Sequence, residues 1–368
     1  MNTASSLSSL RTDEEAVLKL RSLYESRGYQ GYKMSGFEEY DIYALNKDFL
    51  GGEAVITFTD TEGRLMALKP DVTMSIIRSR TDEDGITEKL YYDENVCRVS
   101  HDSHRIKEIL QSGLECIGNI DLYNTCEVVT LAAESLGLFG RKYILDISHM
   151  GIVTGLINNL PISEAQRKEL TQLIGSKNLH GIESLLSGIS ADSKEKARLI
   201  KLADISGSPD DVLPALKEIC TNTPAEDGLK ELERVTEVLR HSDIFECLRF
   251  DFSVVQDMSY YNGIVFQGFI EGIPEKVLSG GRYDPLLKRI GKNKGAIGFA
   301  LNVESLERIL DVPDNPDADI ALVYSADDDA AEVAKKAAEL SSGGLRVRVL
   351  DEIPKRSHFG KIIYFNEK

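Results

Sequence analysis

Short apolar segments that follow one another in hairpin order set the strongest limit on how this chain can fold. The segments VITFT and LMALK are joined by a turn sequence at residues 60–63, and residues 87–98 and 109–118 flank the polar stretch VSHDSHRIKE. Strands in this order pair antiparallel, whereas successive parallel strands need a long crossover between them. Helical segments also occur, so the sequence predicts an α+β fold with an antiparallel or mixed sheet and flanking helices.

The chain contains stretches of different character. Residues 12–28 alternate charged and apolar positions as an amphipathic helix does. Between about 156 and 245, four segments with helical periodicity follow one another, which predicts an inserted helical subdomain. We therefore expect a core over residues 1–316 that contains this insertion, and a reduced C-terminal β/α unit over residues 317–368.

Local signals also predict where individual elements begin and turn. Asn124 or Thr125 can cap a helix that runs to Gly137. The pair Gly280-Gly281 is expected to form a turn that leads into a helix, and the segment GAIGFALNVESLERIL is expected to be a strand followed by a helix.

Composition and charge exclude several classes of protein. A formal net charge of −17 argues against broad sequence-independent binding of nucleic acid, which depends on clustered Lys and Arg. No apolar stretch approaches the length that spans a bilayer, and the N-terminus lacks the pattern of a signal peptide, so we expect a cytoplasmic protein. Five cysteines without CxxC spacing predict buried thiols, and His101 and His104 in a polar stretch do not predict a metal site.

Four segments carry polar and aromatic side chains beyond what packing requires. Asp71 and Thr73 follow one predicted strand and Arg98 ends another. Gln111 and Glu115 alternate along a third strand and therefore face the same side. The set is completed by Tyr260, Tyr261 and the segment Gly280-Gly281-Arg282-Tyr283. If these segments meet on one sheet face, they line a cavity for a small cation with a hydrogen-bonding ring, such as an amino acid.

Each of these residues also has a purely structural interpretation. Asp71 can cap the helix MSIIRSR that follows it. Glu115 can be half of a buried ion pair, because a carboxylate on the inner face of a strand is costly unless it is paired. Tyr260 and Tyr261 can be core residues, and two glycines can serve a tight turn with no ligand nearby. The residues alone leave both interpretations open.

Five ordered motifs favour the ligand interpretation. They are ALKPDVTMSIIRS, RIKEILQSGLECIG, YYNGIVF, LSGGRYDPLL and AIGFALNVESLERIL. In order and spacing the chain resembles the histidyl-tRNA synthetase family of class II synthetases over roughly residues 30–310. The resemblance implies a six-stranded antiparallel core and a self-dimer through that core. It places six residues at histidine-pocket positions: Asp71, Thr73, Gln111, Glu115, Tyr260 and Tyr261.

Two arginines that such synthetases use for ATP are replaced. Gln256 stands where the family motif RGLDYYN has an arginine that assists attack on ATP, and Ser305 stands where the third motif has the arginine that holds the γ-phosphate. Arg98 is retained at the second-motif position. Each lost cation forfeits roughly 3 kcal/mol or more of electrostatic stabilisation, which argues against aminoacyl-adenylate formation. The C-terminal unit has about half the length of the family's anticodon-binding domain, so tRNA is not an expected partner.

A paralogous family fits these departures better. The chain resembles the regulatory subunits of ATP phosphoribosyltransferase, which are similar to a histidyl-tRNA synthetase stripped of aminoacylation. This resemblance implies a non-catalytic subunit without a cofactor that pairs with the short catalytic subunit at the first step of histidine biosynthesis and senses histidine for feedback. Arg98, Arg105 and Arg282 are candidates for contact with an anionic ligand.

Two other hypotheses remain. The first is a divergent histidyl-tRNA synthetase that recruits replacement cations from elsewhere in the chain. The second is a regulator that docks on another synthetase or on a kinase-like partner without binding histidine.

Overall fold

The computed structural model describes residues 11–44, 55–79, 86–99, 105–255, 260–310, 316–355 and 357–366. The chain divides into two compact units, of which the larger is Ala16–Ile309 and the smaller includes the C-terminal segment. The expected boundary after residue 316 stays a prediction. Among the described helices, none combines the length and apolar character that crossing a bilayer requires.

Strands and helices are interspersed along the described residues. The strands are β1 Gln30–Gly31, β2 Phe37–Glu39, β3 Thr57–Thr59, β4 Leu65–Leu68, β5 Glu88–Val99, β6 Ile106–Gly118, β7 Tyr143–His149, β8 Ser206–Gly207, β9 Leu248–Asp251, β10 Ile264–Ile270, β11 Leu278–Arg282, β12 Gly295–Asn302, β13 Ala318–Val323, β14 Val347–Leu350 and β15 Phe359–Tyr364. The α-helices are α1 Thr12–Ser26, α2 Asp41–Ala44, α3 Thr73–Ser79, α4 Leu122–Gly137, α5 Met150–Asn158, α6 Glu164–Gly175, α7 Leu179–Ser187, α8 Ser193–Asp204, α9 Pro209–Cys220, α10 Glu226–Leu239, α11 Asp284–Arg289 and α12 Ala330–Ser341.

A mixed sheet forms the centre of the larger unit. Within the described residues it has nine strands in the order β1-β5-β6-β12-β11-β10-β7-β9-β8. The six strands from β5 to β7 in this order are antiparallel to their neighbours, which confirms the predicted six-stranded antiparallel core. β1 and β9 extend it as parallel partners of β5 and β7.

Helix α4 covers one face of this sheet. It contacts β7, β10 and β12, and its apolar side chains, including Leu131 and Leu136, are fully buried against them. A side chain at Gly268 of β10 would collide with Leu136, so the glycine permits the close approach of helix and strand. The opposite face of the sheet carries the candidate site.

The helices α6 to α10 lie between β7 and β9, interrupted only by the short β8 in this fully described stretch. This arrangement confirms the predicted helical insertion, although α7 was not expected from the sequence. Lys177, which follows α6, donates a hydrogen bond to Asp251 of β9 over 2.7 Å. An ion pair therefore attaches the insertion to β9 of the sheet.

The C-terminal segment forms a small β/α unit, as predicted. Its three strands are parallel in the order β14-β13-β15, and α12 connects β13 to β14. Asp329 begins α12 as its N-cap, accepting hydrogen bonds from the backbone of Ala331 and Glu332.

Four local expectations are wrong. The polar stretch at 99–108 belongs in part to the hairpin, since Cys97 pairs with Glu108 and the antiparallel register simply continues beyond the buried core. Asp121 caps α4 in place of Asn124 or Thr125, because the helix begins at Leu122 and the capping side chain must precede it.

The third is the pair Gly280-Gly281, which lies inside β11 and is not a turn. A Cβ at Gly280 would lie 2.8 Å from the Cα of Phe299, so the glycine lets β12 approach closely. The segment after β12 differs as well, because the expected helix is a short 3-10 helix over Glu304–Arg308.

Candidate functional site

Glu115 lies on the sheet face opposite α4, and its side chain is buried. Thr73 donates a hydrogen bond to Oε1 over 2.6 Å, and the hydroxyl of Tyr283 donates to Oε2. In the part of the chain that the structure describes, Glu115 makes no salt bridge, so the structure does not support the ion-pair interpretation. Burial raises the pKa of Glu115 to about 8, with a smaller contribution from the nearby charge of Asp71 and opposition from its two hydrogen bonds.

Gly298 makes this position of the carboxylate possible. It lies directly opposite Glu115 in the pairing of β6 with β12, and opposite Gly281 in the pairing of β12 with β11. A Cβ at Gly298 would overlap Glu115 Oε2. The two glycines therefore form a floor without side chains beside the carboxylate.

Asp71 has the capping role that its position predicts. Its Oδ1 accepts a hydrogen bond from the backbone N–H of Met74 over 2.9 Å, at the start of α3. Burial raises the pKa of Asp71 to about 6, while the hydrogen bonds from Met74 and Thr73 act in the opposite direction. Thr73 of the same turn holds Glu115, so the cap of α3 and the carboxylate are adjacent.

Three tyrosines form the aromatic wall of the site. The rings of Tyr260 and Tyr283 stack with centroids 5.9 Å apart, and the ring of Tyr261 meets them edge-on at 4.9 and 6.4 Å. Tyr260 and Tyr283 are buried, and Tyr261 is half-buried. Burial raises the pKa of Tyr261 and Tyr283 above the ordinary value, so the phenols stay neutral donors.

Five of the six residues predicted for the histidine pocket therefore lie close together in the structure. Those five are Asp71, Thr73, Glu115, Tyr260 and Tyr261. Tyr283 belongs to the same group and was missing from the predicted contacts, although the segment that contains it had been singled out. Its position directly after β11, two residues beyond Gly281, is the signal that could have identified it.

Gln111 faces the same side of β6 but lines a neighbouring cavity of about 490 Å³. Arg98, Lys107 and Lys276 line this cavity with Asn302, and no carboxylate of the described residues does so. Burial lowers the pKa of Arg98, although an arginine remains charged. This cavity therefore has a positive lining, in contrast to the carboxylates Glu115 and Asp71 on the same sheet face.

The other two candidate arginines, Arg105 and Arg282, do not line this cavity. Arg105 is exposed at the start of the second hairpin strand. Arg282 donates from Nε to Asp284 over 2.9 Å and lies 3.7 Å from Glu231, so two carboxylates already balance its charge. It lines a different cavity, of about 290 Å³.

Of the two positions where the resemblance predicts a lost arginine, only one lies within the described residues. Ser305 is buried in the 3-10 helix after β12, where its backbone N–H donates to the side chain of Asn302. Gln256 lies outside the described residues, as do His101 and His104. Among the residues that the structure does describe, no cluster of His, Cys, Asp or Glu could hold a metal ion, and all five cysteines are free thiols.

Comparison with known proteins gives a consistent result. The protein-family model described as "Histidyl-tRNA synthetase" matches residues 6–306. An ATP phosphoribosyltransferase regulatory subunit from Caldanaerobacter subterraneus is 33% identical over 78% of this chain and 75% of its own length. A protein of the same description from Oceanobacillus iheyensis is 28% identical over 84% of this chain and 77% of its own length.

Solved structures share the fold. An ATP phosphoribosyltransferase regulatory subunit/histidyl-tRNA synthetase from Bacillus halodurans aligns with a TM-score of 0.82 at 23% identity, over 96% of this chain and 93% of that one. A chain of the ATP phosphoribosyl transferase (HisG:HisZ) complex from Thermotoga maritima aligns with a TM-score of 0.63 at 20% identity, over 79% of this chain and 97% of that one.

Proposed function

Because this chain belongs to the histidyl-tRNA synthetase family, and within it to the ATP phosphoribosyltransferase regulatory subunits, we propose that it binds histidine without activating it and regulates a phosphoribosyltransferase catalytic chain. The observation that carries the ligand site is the environment of Glu115. A buried carboxylate with only hydroxyl partners in the described structure gains most from a ligand that brings a cation or a strong donor.

Histidine suits this recess on chemical grounds. Its imidazole N–H can donate to Glu115 beside the ring of Tyr261, and Gln111 can reach the ligand from the same face of the strand. Its ammonium group would lie near Asp71 and Thr73, and Tyr260 completes the aromatic wall. The two donors of histidine, its imidazole N–H and its ammonium group, therefore match the two carboxylates of the site, Glu115 and Asp71.

The proposal excludes aminoacylation on the basis of charge. Gln256 and Ser305 replace two guanidinium groups, and each loss removes roughly 3 kcal/mol or more of stabilisation from a reacting phosphate. The alternative, a divergent histidyl-tRNA synthetase, requires cations recruited from elsewhere, for which the cavity of Arg98 and Lys107 is the available source. The names of the matched relatives favour the regulatory role.

The proposed partner is the short catalytic subunit of ATP phosphoribosyltransferase. The Thermotoga maritima neighbour was solved as a complex of two kinds of chain, HisG and HisZ, which supports a hetero-oligomer for this chain too. We further propose a self-dimer through the synthetase-like core, action in the cytoplasm and no role for tRNA. Binding linkage is reciprocal, so histidine can regulate the assembly only if its affinity differs between the active and inhibited states.

Calorimetry with histidine tests the site on the isolated chain and on the complex. We expect Glu115→Gln to weaken binding by about ten-fold or more, since hydrogen bonds to charged groups contribute roughly 1.5–3 kcal/mol. Glu108→Gln, an exposed position on the same strand, is the matched control and should bind as the wild type does. Folded wild-type protein that binds no histidine in either form would refute the proposal.

A further inference from the structure

A buried histidine connects the helical insertion to the sheet. His149 ends β7, and its Nδ1 accepts a hydrogen bond from the backbone N–H of Gly151 over 3.1 Å. The ring proton of the neutral imidazole therefore lies on Nε2, which is 3.1 Å from Glu231 Oε2 and donates to it. Glu231 belongs to α10, so this bond joins the insertion to the end of a central strand.

The surface of α10 leaves space for this imidazole ring. Gly228 lies three residues before Glu231 and therefore on the same side of the helix. A Cβ at Gly228 would lie 2.9 Å from His149 Nδ1, and one at Gly151 would lie 3.0 Å from Cε1. Two glycines thus make room for the ring, while Glu231 fixes its orientation.

The second oxygen of Glu231 continues the connection toward the aromatic wall. Glu231 Oε1 lies 3.7 Å from Arg282 Nη1, and Arg282 Nε donates to Asp284 over 2.9 Å. Asn262 donates from Nδ2 to Asp284 Oδ2 over 3.1 Å, and its backbone N–H donates to the carbonyl oxygen of Arg282. Tyr283 lies between Arg282 and Asp284 in the chain.

The chain of hydrogen bonds and ion pairs therefore ends next to two of the three tyrosines of the wall, Tyr261 and Tyr283. Asn262 directly follows Tyr261, and Tyr283 donates its hydroxyl proton to Glu115. The hydrogen bond from His149 holds the pKa of Glu231 below its ordinary value, against the opposing effect of partial burial. Glu231 is consequently ionised at neutral pH and can hold Arg282 as well as His149.

We propose that His149, Glu231, Arg282, Asp284 and Asn262 form a relay that couples the docking of α10 to the order of the tyrosine wall. Through this relay, occupancy of the pocket is transmitted to the helical insertion. The ligand part of this inference rests on the proposed histidine site, whereas the coupling of helix and wall does not. Because coupling is reciprocal, loosening α10 must also weaken a ligand that depends on the ordered wall.

Hydrogen exchange of the unliganded protein tests the coupling directly. Glu231→Gln keeps the size of the side chain and removes its charge. We expect faster exchange by about five-fold or more both in residues 226–239 and at 282–284, which lie on a different element. Glu233→Gln on the same helix is the control, because Glu233 has nearly the same side-chain exposure, 32% against 34%, and pairs instead with Lys217.

Each outcome decides the inference. Faster exchange confined to α10, or equal exchange in the two variants, would overturn the relay. Should Glu231→Gln fail to fold, Arg282→Lys serves the same purpose, since one ammonium group cannot reproduce the bonds of the guanidinium to two carboxylates. We expect the same loss of protection at 226–239 and at 282–284 in this variant, and its absence would likewise overturn the relay.

Histidine then separates the relay from the proposed function. In the wild type, histidine should slow exchange in residues 226–239, and Glu231→Gln should lower histidine affinity by about five-fold and lose this protection. Protection of α10 that persists in the variant would overturn the relay. A wild-type protein that binds no histidine would refute the proposed ligand instead, while the unliganded measurement still decides the coupling.

Discussion

Glu115 occupies a position where a carboxylate costs the folded protein free energy. It is 2% exposed and has hydroxyl groups as its hydrogen-bond partners in the described structure. Burial raises its pKa to about 8, so the empty pocket holds a proton on Glu115 at neutral pH. A ligand with a cationic or donor group favours the ionised form, and we propose that histidine is recognised by exchange with this proton.

The raised pKa of Glu115 predicts how stability depends on pH. The folded state binds this proton more tightly than the unfolded state, whose ordinary pKa is 4.5, so the free energy of unfolding should fall as the pH rises from about 5 to about 8. Glu115→Gln removes this dependence. In urea denaturation we expect the variant to be more stable than the wild type by roughly 4 kcal/mol at pH 8, and by only about 1 kcal/mol at pH 5.

A matched measurement uses the exposed Glu108→Gln, which should show no such pH-dependent difference. A difference between Glu115→Gln and the wild type that is the same at pH 5 and pH 8 would contradict the account of the buried carboxylate.

The sequence predicted that Glu115 faces a site but could not identify its partners. Alternation along a strand gives the face on which a side chain lies, whereas partners on other strands depend on register. Gly298 and Tyr283 are more than 160 residues away along the chain, and only the pairing of β6, β12 and β11 brings them beside Glu115. For the same reason it was not predictable that Gln111 lines a cavity with Arg98 while Glu115 contacts Thr73 and Tyr283.

At the scale of elements, α3 connects local structure with the proposed site. Asp71 caps this helix through Met74, and Thr73 in its first turn donates to Glu115. The sequence left open whether Asp71 caps or binds; the structure shows the cap, and contact with a ligand stays a prediction. A substitution that separates the two roles is therefore informative.

Asp71→Asn and Asp71→Ala provide that separation. Asn caps a helix as well as Asp does, so we expect Ala to be about 1 kcal/mol less stable than Asn in denaturant unfolding. Both variants lack the carboxylate and should bind histidine more weakly than the wild type in calorimetry. Wild-type affinity in Asp71→Asn would show that the residue is a cap alone.

Elements with a strong periodic pattern were predicted well. Four of the five helices from α6 to α10 and the β/α unit at the C-terminus agree with the predicted hydrophobic periodicity, and α7 was missed. Errors arose where polar residues continue a strand, as in the hairpin β5–β6, and where glycine serves interstrand contact, as at Gly280. Composition suggests a loop or turn in both cases, and tertiary pairing overrides it.

At the scale of the whole molecule, an acidic chain contains an acidic recess beside a cavity lined by cations. The net charge is −17, yet Arg98, Lys107 and Lys276 converge on one wall of the site face. The family to which the chain belongs accounts for the sheet and the insertion, and we propose that Gln256 and Ser305, in place of two arginines, remove the family's ATP chemistry. The regulatory role agrees with the retained fold of the family as well as with the proposed replacement of the two arginines.

The most direct test of this account is the activity of a reconstituted complex with the short catalytic subunit of ATP phosphoribosyltransferase, measured with and without histidine. The account predicts that activity requires this chain, that histidine inhibits it, and that Glu115→Gln remains active but loses about ten-fold or more in sensitivity to histidine. Activity that is independent of this chain, or purified chain that charges tRNA with histidine, would contradict it.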